Sequence, residues 1–281
     1  GSGGDRLGLG MARTFAGSTR AATLTLFVTA SLLAAGLLGA SPTDLSAEDA
    51  PPLSPQCDVP ASDIAAPAPL PNVTATLESR KTIRVLAIGS SSTYGVGASS
   101  GSKNYPAQLT DILEKALKGI NVEIINRGVS GEVAKSTAER LRVEVALTHP
   151  DLVLWQLGTN DALARVPVDE FEETVKSTVE WLKENKIDVV LVGLQYTARF
   201  ARDDNYSAIR DTLRRIAREQ NILYVRRFEA MRYISSVRSQ QTMVSGDDLH
   251  LNDLGYHCMA EHIAHAVIAN LFVRRFRPPT N

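Results

Sequence analysis

Ile83-Arg84-Val85-Leu86-Ala87-Ile88-Gly89-Ser90-Ser91-Ser92-Thr93 is the stretch that decides the fold. A short apolar run with little alternation reads as a strand covered on both faces, and here it passes straight into a glycine and a hydroxyl-rich turn. Runs of the same character recur at 122–126, 152–157, 189–194 and 222–225, which makes five strand candidates. Amphipathic stretches separate them. Asn104 can cap a helix with Pro106 in its first turn and Leu109, Ile112, Leu113 and Leu117 on one face. Asp169 and Glu170 open a second, with Phe171, Val175, Val179 and Leu182 in line. Tyr206, Ile209, Leu213 and Ile216 mark a third, and Met259, Ile263, Val267 and Leu271 a long final one. Strands alternating with helices predict a three-layer α/β/α sandwich around a five-stranded parallel sheet of flavodoxin-like order. In such sheets the ligand sits outside the carboxyl ends of the strands, beside the first one.

The chain of 281 residues, 44% hydrophobic and 22% charged, suffices for one well-buried domain with appendages. Thirty Lys and Arg against 31 Asp and Glu leave a net charge of -1, so no global field favours nucleic acid or an anionic membrane surface. Residues 1–10 read as a leader ahead of Met11. Residues 11–40, with Arg13 and Arg20 before an uncharged apolar run at 21–38 and small residues after it, have the layout of a secretory signal peptide, or of an uncleaved anchor. Export to the periplasm or beyond is the expectation, with no other membrane segment. Residues 41–75 are rich in Pro, Ala, Asp and Ser and read as a tether that cannot bury enough apolar area to offset its ordering entropy, leaving 76–281 as the folded domain. Cys57 lies in the tether and Cys258 in the last helix; in an exported protein they are a disulfide candidate.

Three of the four fragments that carry chemistry fall at the predicted strand ends: 89–93 after the first, Asn126-Arg127-Gly128-Val129-Ser130-Gly131 after the second, and Gly158-Thr159-Asn160-Asp161 after the third. The first suits an exposed nucleophile, and equally a phosphate cradle or a plain turn. Gly128 and Gly131 let backbone approach a ligand, and the Asn160 amide can donate to a developing oxyanion without adding charge. In the fourth fragment, Gly246-Asp247-Asp248-Leu249-His250, the carboxylate of Asp247 lies three positions before an imidazole, close enough to set its tautomer. His257, Glu261 and His265 share one helical face and Cys258 and His262 the next, but ligands on successive turns of one straight helix seldom converge on an ion, so no metal site is expected.

Taken in order, the four fragments resemble the blocks of the SGNH, or GDSL, hydrolase family, across roughly residues 82 to 271. The resemblance implies an SGNH hydrolase topology and an ester hydrolase that needs no cofactor. Ser91 would be the nucleophile, His250 the general base and Asp247 its orienter. The N–H groups of Ser91 and Gly128 and the Asn160 side chain would form the oxyanion hole. The family's Gly-Asp-Ser-Leu stands here as Gly89-Ser90-Ser91-Ser92, which puts loop rigidity in question more than mechanism. Arg127, Gln195 and Tyr196 are candidate pocket residues. The expected partner is a small-molecule or polysaccharide ester. Lysophospholipid or thioester hydrolysis and acyl transfer to a sugar are alternatives on the same site; an FMN carrier or a non-catalytic glycan binder are alternatives of another class.

Overall fold

The computed structural model describes residues 50–271. The expected leader and signal segment lie outside the described residues. Six strands form one sheet in the order β1-β6-β5-β4-β2-β3. They are β1 (Ala65–Ala66), β2 (Thr82–Gly89), β3 (Asn121–Gly128), β4 (Leu152–Gln156), β5 (Asp188–Val192) and β6 (Leu223–Val225). Five correspond to the predicted parallel strands. The sixth, β1, comes from the expected tether and pairs antiparallel with β6.

Both faces of the sheet are covered, which explains the unbroken apolar runs. Val85, Ala87, Leu152, Leu154, Val190 and Val192 point into one core, and Leu86, Ile88, Val153, Trp155, Val189 and Leu191 into the other. Adjacent positions alternate between two apolar layers, as the period of a strand requires. Helices α4 (Tyr105–Ala116) and α10 (Asp253–Leu271) pack in the first layer, and α5 (Ala134–Thr148), α7 (Val168–Glu184) and α8 (Asp204–Gln220) in the second. Asn104 caps α4 by accepting from Ala107 N at 2.9 Å. The sequence reading marks no helix at α5, where Val143 and Leu147 are exposed and the apolar stripe is broken.

The tether expectation fails for residues 50–75. Helices α1 (Ala61–Ile64) and α2 (Pro71–Ser79) join β1 in this segment, and Cys57, Val59, Ile64, Leu70 and Val73 are buried in the first core. What holds it is a set of specific anchors that composition does not reveal. Cys57 and Cys258 form a disulfide with Cα atoms 5.0 Å apart. Glu261 accepts from Ser54 N and Oγ at 2.9 and 3.0 Å, and the carbonyls of Cys57 and Pro51 meet His262 Nε2 and His265 Nδ1 at 2.7 and 3.1 Å. Asp188 accepts from the N–H groups of Asn72 and Val73 at 2.9 and 2.8 Å, fixing the start of α2. With this segment laid over it, α10 is buried nearly all round, as a helix apolar on every side must be.

The same anchors account for the helical face that resembles a metal site. Ligand-type atoms of Cys57, His257 and Glu261 do lie within 4.8 Å of one another, but the Cys57 sulfur is spent in the disulfide. Glu261 is occupied by Ser54, and His257 Nδ1 by Gln108 at 2.9 Å. Among the described residues no helix is long and apolar enough to cross a membrane.

Candidate active site

Strand register places three chain reversals side by side at the carboxyl edge of the sheet. Gly89 of β2 pairs with Gly128 of β3, and Ile88 pairs with Trp155 of β4, which brings Gln156 alongside Gly89. The short helix α3 (Ser91–Tyr94) lies on this edge, and glycine is needed for it to do so. A Cβ on Gly89 would lie 2.5 Å from Gln156 O, and one on Gly128 would lie 2.0 Å from Tyr94 N.

Three consecutive serines have three different fates. Ser90 is buried, with its N–H and hydroxyl donating to Gln156 Oε1 at 2.9 and 3.1 Å. Ser92 is buried and donates to Gln195 Oε1 at 3.2 Å. Ser91 is half-buried, and its hydroxyl has no protein partner among the described residues. Thr93 Oγ1 also reaches Gln156 Oε1, at 3.3 Å. The loop lacking the family's aspartate is thus held by one neutral buried acceptor at the end of β4. Gln156 is a site residue that the sequence reading missed. Its only signal was a polar side chain closing an otherwise apolar strand.

The other two loops are tied to each other. Asn160, in the first turn of α6 (Thr159–Leu163), donates one amide hydrogen to Glu132 O at 2.8 Å, leaving the second free for a ligand. Asp161 is buried and accepts from Ala134 N at 2.9 Å and Gly158 N at 3.2 Å; burial raises its carboxyl pKa against those two bonds. Arg140 clasps Glu132 at 2.7 Å and donates to Arg127 O at 2.6 Å, closing the turn after β3. The sequence reading quotes Asp161 within the third fragment without giving it a role, and it misses Arg140, which in sequence is an ordinary charged residue in the middle of a helix.

Gly128 is not placed as expected. Its N–H is engaged by Asn126 Oδ1 at 2.9 Å, and Asn126 Nδ2 is bound in turn to Thr93 O at 2.8 Å. The glycine therefore serves as close-packing backbone. Gly131, three residues on, has φ +84° and open space where a side chain would be; among the described residues no acceptor meets its N–H.

Asp247 and His250 meet as expected. Asp247 Oδ2 lies 2.5 Å from His250 Nδ1, while Oδ1 accepts from His250 N, Leu249 N and the Ser245 hydroxyl at 2.9, 3.0 and 2.9 Å. The bond from His250, then those backbone and hydroxyl bonds, hold the Asp247 carboxyl well below the usual carboxylate range. An ionised carboxylate only accepts, so Nδ1 carries the proton and Nε2 is left as an acceptor. The turn is closed by Ser245 N donating to His250 O at 2.7 Å.

Several contacts join the segments of Ser91 and His250. A Cβ on Gly97 would fall 3.3 Å from His250 Cβ and 2.3 Å from Leu251 O, so the chain after α3 lies directly against His250. Tyr256 donates to Val96 O at 2.7 Å, and Ser99 N and Oγ donate to Asp253 at 2.7 and 2.6 Å. On the other side Gln195, buried, accepts from Ser92 and donates to Leu249 O at 2.5 Å. Gln195 is therefore a brace between the two segments, where the sequence reading has it lining a pocket. Arg127 likewise points away to pair with Glu144 at 2.9 Å. Of the three expected pocket residues, Tyr196 lines a cleft.

These features place the chain among the SGNH-like esterases, carboxylic ester hydrolases by class. Its family is narrower: residues 56–272 match the Non-GDSL lipase-like family, and the chain belongs to it. An arylesterase of Vibrio mimicus is 24% identical over 170 residues, 60% of this chain and 80% of the relative. An acetylxylan esterase of Geobacillus stearothermophilus is 25% identical over 137 residues, 43% of this chain and 61% of the relative. A solved two-domain esterase active on acetylated mannans aligns with a TM-score of 0.64 at 20% identity, over 80% of this chain and 60% of that one. The present chain thus spans about 60% of that two-domain protein's length, and the likeness is one of fold.

Proposed function

We propose that the protein is an exported serine esterase that removes O-acyl groups from a carbohydrate through an acyl-enzyme on Ser91. The observation that carries this reading is the division of labour among the serines: Ser90 and Ser92 are committed to buried amides, while Ser91 is free. His250 Nε2 takes the Ser91 proton as Oγ attacks the ester carbonyl, and Asp247 stabilises the imidazolium. The N–H groups of Ser91 and Gly131 and the second amide hydrogen of Asn160 receive the oxyanion, with Gly131 in the role that Gly128 cannot fill. Collapse of the tetrahedral intermediate expels the alcohol, which takes the proton from His250. Water, deprotonated by His250, then attacks the acyl-enzyme, and the acid leaves as Ser91 regains its proton.

The disulfide supports export, since such bonds persist in oxidising compartments. Carbohydrate is favoured among ester substrates by the acetylxylan and acetylated-mannan esterases to which the chain is similar. A fluorophosphonate probe followed by peptide mapping tests the mechanism: the label is expected on Ser91, and to be lost in Ser91→Ala and His250→Ala along with hydrolysis of 4-nitrophenyl acetate. Full activity in Ser91→Ala would falsify the assignment.

A further inference from the structure

The chain from the end of β5 into the first turn of α8, residues 193–206, supplies no reacting group, yet it is bonded beside Ser91, His250 and Asn160 alike. Gln195, buried at the β5 end, accepts from the hydroxyl of Ser92, next to Ser91, at 3.2 Å. Its amide donates to the carbonyl of Leu249, next to His250, at 2.5 Å. At the α8 end the buried hydroxyl of Tyr206 donates to the Gln195 carbonyl at 2.6 Å. That bond uses the one phenolic hydrogen, so the Thr159 hydroxyl, 3.4 Å away, donates to Tyr206 in turn. Thr159 is the neighbour of Asn160. Ser92, Thr159, Gln195 and Tyr206 are all buried, whereas Ser91, Asn160 and His250 are half-buried.

The start of α8 also grips α6 along its length. Asn205 Nδ2 donates to Ala162 O at 2.9 Å, and Arg165, just beyond α6, pairs with Asp203 at 3.0 and 2.6 Å. Ahead of α6, a Cβ on Gly158 would lie 2.4 Å from Leu194 Cδ1, so the chain after β5 packs directly on the turn that presents Asn160. The Tyr206 ring is fixed independently of its hydroxyl. It stacks on Phe200 with centroids 5.6 Å apart and lies beside Phe228 of α9 (Arg227–Val237) at 6.3 Å. Burial pushes the hydroxyl pKa up to about 12, which keeps its hydrogen in place at neutral pH. Donors and bases act on a developing charge only where their placement is held, and a displacement of about 1 Å can cost ~10²-fold in rate.

We infer that Gln195 and Tyr206 are positioning residues: Tyr206 sets the Asn160 amide through Thr159, and Gln195 sets Ser91 against the His250 turn through Ser92 and Leu249. The inference rests on the serine esterase reading above and assigns its geometry to residues that make and break no bond. The test measures kcat and KM for 4-nitrophenyl acetate, with melting temperatures on the same samples, in Tyr206→Phe, Gln195→Met, Asn160→Ala and the double variant Tyr206→Phe with Asn160→Ala. Tyr206→Phe keeps the packed ring and deletes one oxygen, and kcat is expected to fall about tenfold or more while KM stays within about twofold. Gln195→Met breaks the links to both Ser92 and Leu249 and should lower kcat further. In the Asn160→Ala background, Tyr206→Phe should lose most of its effect, because the donor that it places is gone. Unchanged kcat in Tyr206→Phe overturns the inference, and so does a lowered melting temperature with kcat held. A full further loss in the Asn160→Ala background, the mark of general loosening, overturns it too. If Gln195→Met does not fold, the Tyr206→Phe results decide alone. Fluorophosphonate labelling of Ser91 in the unaltered protein tells the two failures apart: with labelling, only the positioning roles fall, and without it the serine reading falls and takes them with it.

Discussion

The two halves of the site are built in opposite ways. Around Ser91 the bonds are long-range and buried: Gln156, 1% exposed, accepts from Ser90 and Thr93 across the sheet, and Asp161 ties the loops after β3 and β4. Around His250 the bonds are local and wet. Asp247 takes its donors from Ser245, Leu249 and His250, with about half of its side chain exposed. Ser91 is thus positioned by the core and His250 by its own turn. Stability and activity should therefore respond together on one side and separately on the other.

The largest effect tests the local half. Asp247→Asn keeps the shape of the turn but removes the charge that fixes the tautomer, and a ~10⁴-fold loss of kcat is expected by analogy with the same change in other serine triads. The melting temperature should fall only slightly, because the side chain is about half exposed; a large drop would mean that the turn supports the core after all. Gln156→Leu tests the other half. It leaves the Ser90 N–H, the Ser90 hydroxyl and the Thr93 hydroxyl without their buried acceptor, so about 2–4 kcal/mol of stability should be lost, together with activity, in urea unfolding and ester assays on the same samples. Activity loss alone would break the contrast.

Replacing both cysteines with serine opens a link that spans 201 residues, and about 2–5 kcal/mol of stability should go with it. Neither cysteine touches the site, so kcat at room temperature should survive; its loss would show that residues 50–59 position the base through α10. The smallest effect concerns pH. Because the folded-state pKa of Asp247 is depressed, its stabilising contribution is present above the unfolded value of about 3.9 and is lost only as pH falls through the folded value. Above about pH 5 the unaltered protein should therefore keep a small stability margin over Asp247→Asn, and that margin should shrink as pH falls below about 3.9; a margin unchanged at low pH would contradict the assigned bond.

The parallel strands could be read in the sequence because burial on both faces leaves unbroken runs such as 152–157 and 189–194. The Asp247 and His250 pair could be read because only three positions separate them. Residues 50–75 were misread for the converse reason. Their Pro- and Ala-rich composition offers little apolar area, and the disulfide, Glu261, His262 and His265 supply anchorage that only proximity makes visible. Gly128 and Gly131 look alike as letters, but Asn126 Oδ1 engages the N–H of Gly128 and Tyr94 packs against its backbone, while Gly131 sits at positive φ in open space. Gln195 lies at the right strand end for a pocket residue, yet Ser92 and Leu249 claim both ends of its amide.

By itself the amino-acid sequence determined the layered α/β architecture, the strand ends at which chemistry would lie, and the local carboxylate–imidazole turn, because each depends on periodicity or on residues a few positions apart. Only the tertiary structure decided which of three adjacent serines is free, which glycine N–H is unoccupied, and that the proline-rich segment is part of the core. Those outcomes depend on which buried donor meets which acceptor across tens to hundreds of residues, and a hydrogen bond a few ångströms long has no signature in sequence distance.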